Sequence, residues 1–65
     1  MRPIGEIVKR LIRESPFLEE ALEEGLINIS SLSRKLQPQI ESELHKKIQT
    51  GAIVMAIKRY DPGYN

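Results

Sequence analysis

The sequence predicts an all-α domain, a compact bundle of about four short helices. Three observations carry this expectation: apolar residues recur at helical spacing in four stretches, no cysteine is present, and the chain has 65 residues. A single core in a domain of this size rarely supplies more than ~3–5 kcal/mol, so small domains lean on disulfides, a metal, close helix packing or self-association. With no Cys and one histidine, His45, disulfides, thiolate metal sites and histidine clusters are excluded. No cofactor is expected, and helix packing and self-association are the remaining sources of stability.

Ile4, Ile7, Val8, Leu11 and Ile12 fall on one stripe of the first helix. Pro3 suits its first position, where a missing N–H costs nothing. Ser15-Pro16 ends this helix and starts the next as N-cap and first residue. In that second helix Phe17, Leu18, Ala21 and Leu22 repeat at helical spacing, and Gly25 is expected as a left-handed C-cap closed over by Leu26. Glu23 and Glu24 oppose the dipole at the helix end.

Residues 26–29 read as a brief extended piece, with Asn28 or Ser30 capping the third helix. Leu32, Leu36, Ile40 and Leu44 recur every four residues, and Ile48 continues the series. Pro38 lies within this stripe, which predicts either a kink or two short helices meeting near Gln37. Lys46 to Gln49 reads as a turn with Ile48 buried, and Thr50 as the N-cap of a fourth helix with Ile53, Ala56, Ile57 and Tyr60 inward. Strand alternation through Ile53, Met55 and Ile57 is the competing reading of that segment. Asp61-Pro62-Gly63 closes the element as a turn. This divides the chain into a helical domain over 1–60 and a tail or linker start over 61–65.

The longest apolar run, Ala52 to Ile57, is six residues, against the ~20 needed to cross a bilayer. The expectation is a soluble, cytoplasmic protein with no membrane partner. Net charge is +1, but its distribution is uneven: residues 1–13 carry a local +3, 14–24 carry −5 and 34–59 carry +4. Such a division suits ordinary solvated helix faces, and equally a phosphate-facing surface opposite an acidic one.

Catalytic chemistry finds no constellation. Gly5, Gly25, Gly51 and Gly63 belong to no phosphate-binding loop. His45 reads as an exposed residue at a helix end, with no oriented nucleophile beside it. The pairs Glu19/Glu23 and Glu20/Glu24 read as a solvated acidic face. The chain is expected not to be an enzyme.

The remaining pattern is the element order of a helix-turn-helix, in which one helix crosses the phosphate backbone and the next enters the major groove. The candidate pair is Ser30 to His45 followed by Thr50 to Tyr60. Arg34, Lys35, Lys46, Lys47, Lys58 and Arg59 are then the candidate phosphate contacts on double-stranded DNA, with Thr50 nearest the bases. The segments SPFLEEALEEGLINISSLSRKL and GAIVMAIKRY resemble the N-terminal helix-turn-helix of small prokaryotic regulatory proteins that carry an ACT domain behind it, some of them aspartokinase-like. The resemblance runs from about Ile4 to Tyr60. It implies a winged-helix-like fold, here without a developed wing, in a regulator whose ACT domain senses a small ligand. Nothing follows Asn65 in this chain, so it is expected to be a fragment or short paralogue, or to take its sensing half from an ACT-domain-containing partner.

The start of the last helix, Thr50-Gly51-Ala52-Ile53-Val54-Met55, holds one residue able to hydrogen-bond a base edge, Thr50. Val54 and Met55 lie off the inward stripe and read as exposed apolar groups, a candidate interface for a homo-oligomer. Two functions are therefore expected: a DNA-binding module of a transcriptional regulator, or a dimerisation and protein-interaction module without DNA readout.

Overall fold

Ile7, Val8, Leu11 and Ile12 lie on one side of the first helix, and all are buried. A computed structural model describes residues 4–60 of the chain. The elements are α1 (Ile4–Arg13), α2 (Pro16–Glu23), α3 (Ile29–Leu44) and α4 (Thr50–Tyr60). They form a compact four-helix bundle with a helix-turn-helix-like order, and no strand occurs among the described residues. α1 packs against each of the other three helices, and α3 and α4 pack on one another. The core joins α1's stripe to Leu22, Leu32, Leu36, Ile40, Ile48, Ile53, Ala56 and Ile57. Pro3 and the Asp61-Pro62-Gly63 turn lie outside the described residues.

Ser15 occupies the N-cap position of α2 in extended conformation, with Pro16 at the first helical position. Its carbonyl accepts from the Leu18 and Glu19 amides at 3.0 and 3.1 Å, while its side chain makes no capping bond. At the other end Gly25 adopts φ +72°. The Gly25 amide donates to the Leu22 carbonyl at 3.1 Å and the Leu26 amide to Ala21 at 2.9 Å, the paired bonds of a Schellman cap. The expected hydrophobic closure by Leu26 does not form, because Leu26 is 73% exposed. Phe17 departs further from expectation: at 87% exposed it faces away from the core. α2 is only eight residues long, so its inward side accommodates Leu18 and Leu22, about 140° around the helix from the Phe17, Glu20 and Glu24 side.

α3 is one helix, not two, and its N-cap is Asn28, whose Oδ1 accepts from the Ser31 amide at 2.9 Å. Pro38 sits inside it, on the exposed side. The carbonyl one turn earlier belongs to Arg34, also exposed, so water can replace the bond that proline removes. Ser33 is fully buried, and its hydroxyl donates to the Ile29 carbonyl at 2.9 Å, leaving no orphaned polar atom. α3 ends at His45, which takes the left-handed conformation at φ 57° without being glycine. Both the His45 and Lys46 amides donate to the Glu41 carbonyl.

α4 is helical, which excludes strand alternation, and it begins at Thr50 rather than after it. Ile53, Ala56 and Ile57 are buried and Tyr60 is partly buried, as the stripe requires.

The two left-handed caps make opposite predictions. A Cβ at Gly25 meets nothing within 4 Å but acquires a strained backbone, so Gly25→Ala is expected to destabilise by about 1 kcal/mol. His45→Gly removes the same strain and is expected to stabilise by about 0.5–1 kcal/mol. Urea midpoints of the two variants, moving in opposite directions from the parent, check this.

Candidate nucleic-acid interface

The turn between α3 and α4 has five residues, 45–49, and its geometry is held by side chains of α3. Glu41 and Gln37 are one helical turn apart and both reach the backbone of Ile48. The Glu41 carboxylate accepts the Ile48 amide at 2.9 Å, while the Gln37 amide donates to the Ile48 carbonyl at 2.7 Å. The same Gln37 Nε2 lies 3.5 Å from Glu41 Oε2. Ile48's side chain is buried in the core, so one residue is gripped through its donor, its acceptor and its apolar body. This clamp sets where α4 starts, and with it the positions of Lys46, Lys47 and Thr50.

Lys47 and Thr50 line one hollow together with Gln37, Glu41 and Ile48. Arg34 belongs to the same helical row as Gln37 and Glu41, at i, i+3 and i+7. It is exposed, and its guanidinium donates to the Ser31 hydroxyl at 3.2 Å. Lys35 is exposed too, but it lies about 100° around α3 from Arg34 and leaves that row. Lys46 is exposed and Lys58 half-buried. From Thr50 to Lys58 the rise along α4 is about 12 Å, so the basic pairs 46/47 and 58/59 bracket the helix at its two ends.

Arg59 has other neighbours. It lines an open groove of about 610 Å³ between α1 and α4, with Lys9 and Glu6 at the edges and Ile4, Ala52 and Ala56 beneath. Beside the groove, the Tyr60 hydroxyl donates to the Glu19 carboxylate of α2. That bond holds the phenol's proton more firmly than usual, with a further contribution from desolvation and opposition from Arg13. Arg10 ties α1 to α3 through Glu43, and also meets Glu14 at 3.3 Å; these carboxylates reinforce its positive charge.

Val54 and Met55 separate. Val54 is half-buried, contrary to the expectation of an exposed group, and Met55 is 53% exposed. Met55 lies on the outward side of α4 beside Gly51, flanked by Ala52 and Arg59 toward α1 and by Lys58 on the other flank, which places one methionine between small and basic neighbours. The clamp residues Gln37 and Glu41 were invisible to sequence reasoning, which gave neither a contact to the following turn. A polar pair at i, i+4 signals nothing about a backbone eleven residues downstream. No group of His, Cys, Asp and Glu suited to a metal occurs among the described residues, and no described helix is long and apolar enough to cross a membrane. No protein-family model, curated protein sequence or solved structure matches the chain.

Losing the clamp leaves the backbone of buried Ile48 underbonded within an otherwise exposed turn, a cost of about 1–3 kcal/mol for an orphaned group. Glu41→Ala is expected to lower stability by this amount and to accelerate hydrogen exchange at the Ile48 amide more than at the α1 core amides. Exchange monitored by NMR checks it, since general loosening would raise both together.

Proposed function

We propose that the chain is the DNA-binding helix-turn-helix module of a transcriptional regulator, without catalytic activity of its own. One observation carries this reading: from Leu44 to Tyr60 the sequence holds no Asp or Glu, while Lys46, Lys47, Lys58 and Arg59 stand at the two ends of α4. The helix between these cations rises about 12 Å from Thr50 to Lys58, comparable to the major groove's width of about 12 Å. Lys46 and Lys47 approach one rim, Lys58 and Arg59 the other, and Arg34 extends the first pair along α3. Lys35, off that row, is the weakest contact in this arrangement.

Gly51 and Ala52 are small and exposed, so α4 can approach base edges closely. Thr50, half-buried at the helix start, supplies the hydrogen-bonding group nearest the bases. Met55 offers soft apolar contact to thymine methyls. With one polar reader, specificity rests on shape and deformability more than on hydrogen-bonded base recognition. Response to an effector then belongs to an ACT-type sensing partner, and the module's setting is the cytoplasm. The second reading, an interaction module with Val54 and Met55 at its interface, is favoured by the exposure of Met55 and disfavoured by the burial of much of Val54.

Duplex DNA titrated at two salt concentrations tests the first reading. Four phosphate contacts correspond to a log–log salt slope of about −3.6, or roughly a hundredfold loss of affinity between about 50 and about 200 mM salt. Replacing Lys46 and Lys47 together by Ala is expected to reduce that slope by about 2. Affinity that is absent at low salt, or indifferent to it, removes DNA binding. Met55→Glu distinguishes the two readings: it weakens DNA binding at unchanged mass in the first, and lowers the mass in solution in the second.

A further inference from the structure

We propose that two copies of this chain associate reciprocally, the Phe17 side of α2 from each copy seating in the groove between α1 and α4 of the other. Phe17 is 87% exposed, and no intramolecular packing explains a phenyl ring in that position. An aromatic side chain left in water on a folded surface is the residue type most enriched at protein interfaces. The groove has the complementary form, an apolar floor of Ile4, Ala52 and Ala56 in an opening of about 610 Å³, within the range of concave sites that enclose small apolar groups.

Charge favours a second copy as the occupant. Glu20 and Glu24 follow Phe17 at i+3 and i+7 and are exposed, so the ring is flanked by carboxylates on its own helical side. The groove edges carry Lys9 and Arg59, against a single Glu6. An acidic helix bearing one aromatic anchor therefore meets a basic-edged apolar slot, and the anchor and slot belong to the same chain. The bond from Tyr60 to Glu19 ties α2 to the α4 end of the groove, and Phe17, about 160° around α2 from Glu19, projects away from the groove of its own chain. A ring that cannot fill its own groove meets that of a second copy, and two such insertions related by a two-fold axis close a dimer.

This interface differs from the outward side of α4. Ala52, Ala56 and Arg59 lie toward α1 and line the groove, while Val54 lies on the opposite flank and Met55 between them. Arg59 passes into the dimer contact, and Lys47 and Thr50 at the other end of α4 stay outside it. The proposal stands whether or not the module binds DNA.

Sedimentation velocity from about 10 μM to about 1 mM, the range set by a small interface, tests it. The expected result is a concentration-dependent doubling of mass, with Phe17→Ala weakening association at least about tenfold at unchanged helical circular dichroism. Glu20→Arg and Arg59→Glu are each expected to weaken the dimer, and mixing the two variants to restore it, since both contacts then pair opposite charges. A parent that stays monomeric throughout, a Phe17→Ala variant that associates like the parent, or a mixture no heavier than its components overturns the proposal. Met55→Glu, outside the contact, is expected to leave the dimer intact, and its loss in that variant overturns the proposal in favour of an interface on the outward side of α4.

Discussion

Everything in this bundle depends on the apolar stripe of α1. Ile7, Val8, Leu11 and Ile12 occupy barely two turns and are almost wholly removed from water, and α1 alone packs on each of the other three helices. α2 rests on α1 and reaches α4 through Tyr60 and Glu19. Excavating one such aliphatic side chain costs about 2–5 kcal/mol, the same size as the ~3–5 kcal/mol that a domain this small draws from its core. The stripe is thus a condition of folding, and the polar contacts act on a bundle it has already assembled.

Those contacts determine where the basic residues beside α4 lie. The α3–α4 turn has no internal ladder of hydrogen bonds to fix its path, yet Ile48 must be buried. Gln37 and Glu41 reconcile the two by satisfying the backbone of Ile48 where its side chain enters the core. The left-handed backbone at His45 turns the chain out of α3 just ahead of this contact. Together they hold the start of α4 in one orientation, so that Lys46, Lys47 and Thr50 are presented by a rigid element. Arg10 and Glu43 brace the same C-terminal end of α3 against α1.

The acidic α2 and the basic α4 give the molecule two unlike surfaces. α2 uses Leu18 and Leu22 inward and leaves Phe17, Glu20 and Glu24 outward, while the turn and α4 carry no carboxylate. A face with cations at both helix ends and small residues between them suits a polyanion. An exposed ring among glutamates suits a basic-edged apolar slot. The two surfaces lie on different sides of one small domain, and Arg59 lines the groove at the edge of α4's basic end.

The sequence alone determined the inward side of α1, because burial imposes a 3.6-residue period that can be read directly from Ile7, Val8, Leu11 and Ile12, whereas the same period through Ile53, Ala56 and Ile57 competed with strand alternation until the fold made α4 a helix. Caps were legible where the chemistry is local, as at Ser15-Pro16 and Gly25. Pro38 was ambiguous in sequence, since the consequence of a missing hydrogen bond depends on which side of the helix the proline occupies, and in α3 both Pro38 and Arg34 are exposed residues. Phe17 satisfied the same periodic pattern as Leu18 and Leu22, but an eight-residue helix packed mainly on α1 has room for a single inward side. Of the candidate site, the charges were legible and their grouping was not: Lys47 and Thr50 share a hollow, Arg59 faces α1, and Lys35 stands apart. Only tertiary structure decides such matters, because the contacts from Gln37 and Glu41 to Ile48, and the groove between α1 and α4, join residues whose separation along the chain carries no periodic signal.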